Sequence, residues 1–374
     1  MYDSHTRQIN NDYKQFIMFG CWNQGKCTEN GTNPLSNTMR TLREYVSDEK
    51  TDFIIVAGDN YYPEKSKTID KKNKKKIINT DNLNSGFQCL PDDIPTDIIL
   101  GNHDLETNLT DKTDKIIPVL YHNENHPESG NCDILMNEKE IVKSKPNLKL
   151  QIYGMRMLGN DTMIIKFDTT MFDPDVQEYK KCYRKISKKN FDRLKNRQKN
   201  VIQNWVKKSN QTKSIRNIIF VGHHPLVFYK PKKGKTEPII FDELIDFFAS
   251  LDFDKKLKKY YLCADVHFHQ KSIVSIKSNN SKIFNFEQHV VGTGGTELDD
   301  IPENVTDSPK NIKNVSISVK QSNKEHGFLV VRKNGKNVEF EFVKTGEPIL
   351  EKTGGRKYTK KFPKKKRTKT LRKK

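Results

Sequence analysis

The chain has 374 residues, 34% hydrophobic and 30% charged, with a formal net charge of +20 at neutral pH. No run of about 18 apolar residues occurs, which excludes a membrane-spanning helix, and the opening MYDSHTRQINNDYKQ lacks the apolar stretch of a secretory signal. Six cysteines (Cys21, Cys27, Cys89, Cys132, Cys182 and Cys263) follow no framework spacing, so an intracellular chain with reduced thiols is predicted.

The length suits one large α/β domain over residues 1–350, with a basic loop insertion at about 63–90 that contains KSKTIDKKNKKK (65–76). Thirteen Lys or Arg and no acid follow Glu351, which leaves +7 on residues 1–351. Residues 351–374 therefore read as a disordered basic tail suited to nucleic acid or another polyanion.

Taken in chain order, β-branched or aromatic runs ending in Gly or Asp predict strands at FIMFG (16–20), DFIIVAG (52–58), DIILG (97–101), TMIIKFD (162–168), NIIFVG (217–222), YYLCAD (260–265) and HVVGTGG (289–295). Several are apolar throughout, as strands covered on both faces must be. Helix-like spacing falls at 34–49, with Pro34 near its start, at 191–208 and at 241–251. FLVVRK (328–333) and VEFEFV (338–343), joined by Asn334-Gly335, predict a closing hairpin. This order predicts stacked sheets with outer helices.

Four of these strands run into polar residues of metal-ligand type: Asp59 and Tyr62 in GDNYY, Asn102 and His103 in GNHD, His223 and His224 in GHHP, and His267 and His269 in DVHFHQ. Singly, each has an ordinary reading as a turn, a helix cap or a satisfied loop. The i, i+2 spacing of His267 and His269 is more pointed, because it places both on one face of a strand. Together the four ends hold five of the ten histidines. Strand ends of an α/β sheet converge on one edge, where sites form. Oxygen and imidazole donors with a carboxylate free to bridge suit two first-row metal ions.

The ordered set GDN…GNHD…GHHP…HFH resembles the calcineurin-like metallophosphoesterase pattern, and the tyrosine three residues after the aspartate in GDNYY is similar to the purple acid phosphatase branch. FDTTMF (167–172), QNWV (203–206), VVGTGG (290–295) and HGFLVV (326–331) agree in order. The resemblance implies a four-layer α/β/β/α sandwich of two central mixed sheets and a dinuclear centre at their carboxyl edges. Asp59 would bridge the metals. Asn102, His223 and His267 would complete one site, with Tyr62 and His269 serving the other. His103 would bind the phosphate or protonate the leaving group, and His224 would act with it or shape the pocket. The paired-glycine basic tail and the Lys/Asn/Ile-rich composition also look like proteins of large DNA viruses, which would place the chain in host cytoplasm or virion.

The first motif of that family is Gly-Asp-Trp-Gly, whereas this chain has Gly20-Cys21-Trp22-Asn23. Three readings follow. Cys21 is a thiolate ligand, or it is inert and Asn23 or water fills the place, or the site binds metal poorly. Under oxidation Cys21 could also pair with Cys27. The resemblance implies iron with zinc or manganese, but thiolates tend to reduce ferric iron, so the metal identities stay open. The expected function is a metal-dependent phosphomonoesterase using a metal-activated hydroxide on an anionic substrate such as a phosphoprotein, nucleotide or polyphosphate. The alternatives are a phosphodiesterase or nuclease on the same scaffold, or a catalytically weak polyanion-binding relative.

Overall fold

In the computed structural model, which describes residues 13–62, 64–65, 76–105, 108–110, 116–118, 120–121, 133–173, 191–229, 238–278, 280–301, 310–346, 350–353 and 357–360, the fully apolar runs become strands buried on both faces. Fourteen strands form two large sheets. In chain order they are β1 (Gln15–Phe19), β2 (Phe53–Ala57), β3 (Thr96–Ile99), β4 (Leu148–Leu150), β5 (Tyr153–Leu158), β6 (Thr162–Phe167), β7 (Asn217–Val221), β8 (Lys258–Cys263), β9 (His269–Lys277), β10 (Ile283–Val291), β11 (Lys310–Ile312), β12 (Val315–Asn323), β13 (Gly327–Asn334) and β14 (Asn337–Lys344). The first sheet runs β14-β13-β1-β2-β3-β4 and the second β5-β6-β7-β8-β10-β9-β12-β11. Strands β1 to β4 pair in parallel, as do β6-β7-β8-β10, while β13 and β9 add antiparallel neighbours. Both sheets are therefore mixed, and their parallel strands end on the same edge.

Strand periodicity sets the layers. Along β7, Ile219 and Val221 join the core shared with the first sheet, whereas Ile218 and Phe220 join a second core on the outer face. Helices α1 (Pro34–Asp48), α2 (Thr80–Gln88), α3 (Asp133–Ser144), α4 (Phe191–Gln211) and α5 (Asp242–Ser250) are the described α-helices, beside short 3-10 turns at His103–Leu105 and Thr169–Phe172. Asn33 caps α1 by accepting from the Ser36 amide at 2.7 Å, and Pro34 sits where its missing N–H costs nothing. Leu35, Met39 and Leu42 of α1 belong to the first-sheet core, and Ile202, Val206, Leu244 and Phe248 of α4 and α5 to the outer one. The layers thus run helix, sheet, sheet, helix, the expected four-layer sandwich.

Strands β4, β5, β9, β11 and β12 are not foreseen from the sequence, because they are short, mostly partly exposed, or alternate between buried and partly exposed positions. The closing hairpin forms, but its two-residue loop is Gly335-Lys336, since Asn334 pairs with Asn337. Gly335 takes a φ of 56° there. No described helix is long and apolar enough to cross a membrane. Within the expected basic tail, Leu350–Thr353 pairs with Lys357–Lys360; residues 361–374, and residues 66–75 of the basic run, lie outside the described residues.

The cysteines correct one expectation. Cys21 and Cys263 are free, but Cys27 is bonded to Cys89, 62 residues away, rather than reduced or paired with Cys21. No local spacing could announce that partner. Cys132 and Cys182 lie outside the described residues.

One buried ion cluster ties the sheets together. Asp97 of β3 accepts from Arg156 of β5 at 2.5 and 3.0 Å and from the Lys166 ammonium of β6, which also bonds Gln151 at 3.0 Å. Burial would raise the Asp97 carboxyl, but Lys166 and Arg156 outweigh it and bring it down to about 2. Lys166 falls to about 8, because burial of its ammonium outweighs what it gains from an Asp97 it shares with Arg156. The Asp97 contribution is complete above about pH 4 and is lost as pH falls towards about 2. Asp97→Ala would leave buried Lys166 and half-buried Arg156 without an anion and is expected to cost about 3–5 kcal/mol, read as a fall in the urea midpoint at neutral pH. An unchanged midpoint would show the cluster to be energetically neutral.

Candidate metal centre

The side chains that converge at the sheet edge obey a simple rule of position. Cys21, Asp59, His223 and Asp265 are each the second residue past the end of a parallel strand, namely β1, β2, β7 and β8. Three of them take a left-handed backbone without being glycine: Cys21 and Asp59 at φ 51° and Asp265 at φ 62°. Such conformations cost on the order of 1–3 kcal/mol each and persist where surrounding structure holds them. Here the chain turns sharply off each strand and aims the side chain back over the sheet edge. Close packing makes those turns possible. A Cβ at Gly101 would lie 2.2 Å from Asp59 Oδ1, and one at Gly292, in the VVGTGG segment, 2.2 Å from the Val266 carbonyl and 3.3 Å from Cys21 Sγ.

Asp59 lies at the middle. Its Oδ2 accepts from the Tyr62 hydroxyl at 2.6 Å and is 3.8 Å from Cys21 Sγ. The Tyr62 hydroxyl is in turn 3.1 Å from His267 Nε2. Cys21 Sγ, an Asp59 oxygen and a His267 nitrogen all lie within 4.8 Å of one another. On the other side, Asp59 Oδ1 is 3.2 Å from His223 Nε2, which lies 3.1 Å from Asn102 Oδ1 and 3.7 Å from Asp265 Oδ1. The His103 amide donates to Asp59 Oδ1 at 3.0 Å, and its ring sits 4.7 Å from the Tyr62 ring.

Backbone carbonyls set both imidazoles. A carbonyl only accepts, so His223 Nδ1–H donates to Ala57 O at 2.8 Å and His267 Nδ1–H to Glu297 O at 2.9 Å. Each ring thereby turns Nε2 towards Asp59 or Tyr62, the arrangement that orients metal-ligating histidines. Beneath the site, buried Asp104 accepts from the Asn60 and Gly101 amides, both at 2.7 Å, and from Asn60 Nδ2 at 2.8 Å, joining the turns that carry Asp59 and Asn102.

The charges ask for a cation. Burial and Asp59 push the Cys21 thiol up, and burial, Asp59 and Cys21 push the Tyr62 phenol up. Burial opposes the Asp59 charge, yet His223 and His103 hold its carboxyl far below the usual range. Burial would lower His223, but the charge and hydrogen bond of Asp59 push it up to about 10. The Asp59 and Asp265 carboxylates thus lie among three imidazoles, His103, His223 and His267, with Cys21 and Tyr62 kept neutral until a cation displaces their protons. Two groups of donors have the spacing to hold a cation: Cys21, Asp59 and His267, with the Tyr62 hydroxyl beside them, and His223, His224 and Asp265, with Asn102 beside them.

The structure brings together Cys21, Asp59, Tyr62, Asn102, His103, His223 and His267, but with two changes. His267 lies on the Tyr62 side, not with Asn102 and His223. His269 does not join the cluster: it opens β9, stacks on Phe342 at 4.2 Å with rings 2° apart, and its Nδ1 meets Asn323 at 3.4 Å. The i, i+2 rule requires a strand through both histidines, whereas β9 begins only at His269. Asp265 takes the place that the sequence pattern passed over. Its signal was available in the same second-position rule that Asp59 and His223 follow. His224 lies with His223 and Asp265, their ligand atoms within 4.8 Å of one another, and also lines the site, with Nδ1 2.9 Å from Thr169 Oγ1, Nε2 3.2 Å from Asp173 and its ring 4.6 Å from Phe241. Asn23 turns away from the cluster, donating to the Leu83 carbonyl of α2 at 3.0 Å.

His267→Ala is expected to weaken metal retention at least about tenfold, while His269→Phe leaves metal content unchanged, as measured by elemental analysis after dialysis. The reverse pattern would return His269 to the site.

Several comparisons bear on these observations. The profile of the calcineurin-like phosphoesterase family matches residues 3–269. Similar solved structures include GAP50, the anchor in the inner membrane complex of Plasmodium, at 13% identity with 89% of this chain and 85% of that chain covered and a TM-score of 0.40. PhoD is similar at 13% identity, with 88% and 68% covered and a TM-score of 0.43. No curated protein matches the sequence. Because the family profile covers residues 3–269, well over half of the 374 residues, the chain belongs to the calcineurin-like phosphoesterase family.

Proposed function

We propose that this metal-dependent phosphoesterase is a phosphomonoesterase of the purple acid phosphatase-like kind, with two cations held across Asp59. The observation that carries the reading is the position of Asp59. One carboxylate oxygen faces Tyr62 and Cys21, and the other faces His223. Members of the family typically bind two metal ions. Bound there, the cations would supply Lewis-acid charge for the phosphoryl oxygens and an activated water for in-line attack on phosphorus.

The chain's own residues supply the rest. Asp59, His223 and His267 hold their donor atoms in place before substrate arrives, through strained turns and carbonyl-anchored rings. His103, partly exposed beside Tyr62, is the group placed to meet a phosphoryl oxygen and pass a proton to the leaving group. His224, engaged through both ring nitrogens, orients the wall next to His223. The preference for anionic substrates, such as phosphoproteins, nucleotides or polyphosphates, rests on the charge of the chain, including the 65–76 run.

The test compares p-nitrophenyl phosphate with its bis-ester, before and after chelation and metal reloading. Loaded enzyme is expected to cleave the monoester faster, chelation to abolish the rate, and His103→Ala to lower kcat by about 10²–10⁴-fold with metal content unchanged. Faster cleavage of the diester would make the protein a diesterase. Metal-loaded protein with no turnover on either ester would make it a binding relative, the reading that Cys21 in place of the first-motif aspartate favours.

A further inference from the structure

We propose that the two metal positions are chemically sorted: Cys21 binds as a thiolate and makes the Tyr62 side selective for zinc, while Asp265 makes the His223 side an oxygen-rich position for manganese. The inference rests on the two-cation reading above and adds the identity and order of the metals.

The two donor sets differ in kind. The first gathers Cys21 Sγ, Asp59 Oδ2, the Tyr62 hydroxyl and His267 Nε2. The second gathers Asp59 Oδ1, Asn102 Oδ1, Asp265 Oδ1 and His223 Nε2, with the His224 ring close by and no sulfur. Thiolate sulfur favours zinc over manganese, whereas carboxylate and amide oxygens suit manganese. One sulfur on one side and an extra carboxylate on the other therefore widen the difference between positions that share Asp59.

Cys21 has what a ligand needs. It is buried, free, and held at the same left-handed φ as Asp59. Cys27, its neighbour along the chain, cannot capture it as a disulfide, because Cys27 is bonded to Cys89. Asn23, the other residue that could have filled this place, is committed to α2. The Cys21 amide donates to the Gly58 carbonyl at 3.0 Å and its carbonyl accepts from Thr296 at 3.2 Å, so the backbone fixes the direction of the thiol. On coordination, the thiol proton leaves to solvent and the sulfur lone pair forms the bond.

The experiment uses full-length protein stripped by chelation. It is reloaded with limiting zinc and excess manganese, then gel-filtered and analysed for metal; cobalt loading is followed in parallel by absorption. Wild type is expected to retain about one zinc and about one manganese per chain and, with cobalt, to show a near-ultraviolet thiolate-to-metal charge-transfer band. Cys21→Ser should lose that band and bind zinc at least about tenfold more weakly. Cys21→Asp, which keeps a charged donor and guards against simple misfolding, should retain two metals, lose the band and lose the zinc preference. Asp265→Asn should lose manganese and keep the band. Absence of the band in folded, cobalt-loaded wild type, or zinc binding in both Cys21 variants equal to wild type, would overturn the proposal. Loss of zinc from Asp265→Asn with none from Cys21→Ser would overturn it as well. Sorted metals without phosphomonoester turnover would sink the proposed function alone, and binding of two manganese ions in place of the supplied zinc, with phosphomonoester turnover intact, would sink this inference alone.

Discussion

Asp59 is the carboxylate on which the site depends. It is buried, strained at its backbone and bonded on both oxygens: Tyr62 on one, the His103 amide and His223 on the other. A buried carboxylate stays ionised only when its surroundings supply positive charge and donors. Those surroundings come from four different stretches of chain. Removing any one of them alters the charge on Asp59 and so the geometry of the others.

The architecture explains how those stretches meet. Parallel strands of two facing sheets end at one edge, and the second residue beyond several of them turns back across it. The shared core of the sheets, reinforced by Asp97 with Arg156 and Lys166, holds the strand ends in register. Glycines at 101 and 292 allow backbone to pass within contact of Asp59 and Cys21. Fold stability and site geometry are thus linked through the packing between sheets rather than through the loops alone.

The replacement of an expected aspartate by Cys21 is matched by an acidic residue at Asp265. Cys21 and Asp265 together keep donors that can be anionic at this edge, with sulfur on the Tyr62 side and oxygen on the His223 side. A thiol pushed up by burial stays protonated until a cation competes for it. On the proposed reading, a cation would displace the protons of Cys21 and His223, so its affinity would rise with pH.

Much of the fold was legible along the chain. The seven predicted strands, the three helices and the closing hairpin follow from period, length and turn residues, all of which are local. Asp59, Asn102 and His223 could be found because they follow apolar runs directly. What the sequence alone could not decide was where one strand stops and the next starts. The His267-x-His269 pair looks like one face of a strand, but only the backbone turn at Asp265 shows that β9 begins at His269, which sends His269 to Phe342 and Asp265 to His223. The Cys27–Cys89 bond and the Asp97 cluster likewise join residues tens of positions apart. Local pattern carries the period of an element; the direction of a side chain past its end depends on φ, and partners across sheets depend on packing, so the tertiary structure alone settles them.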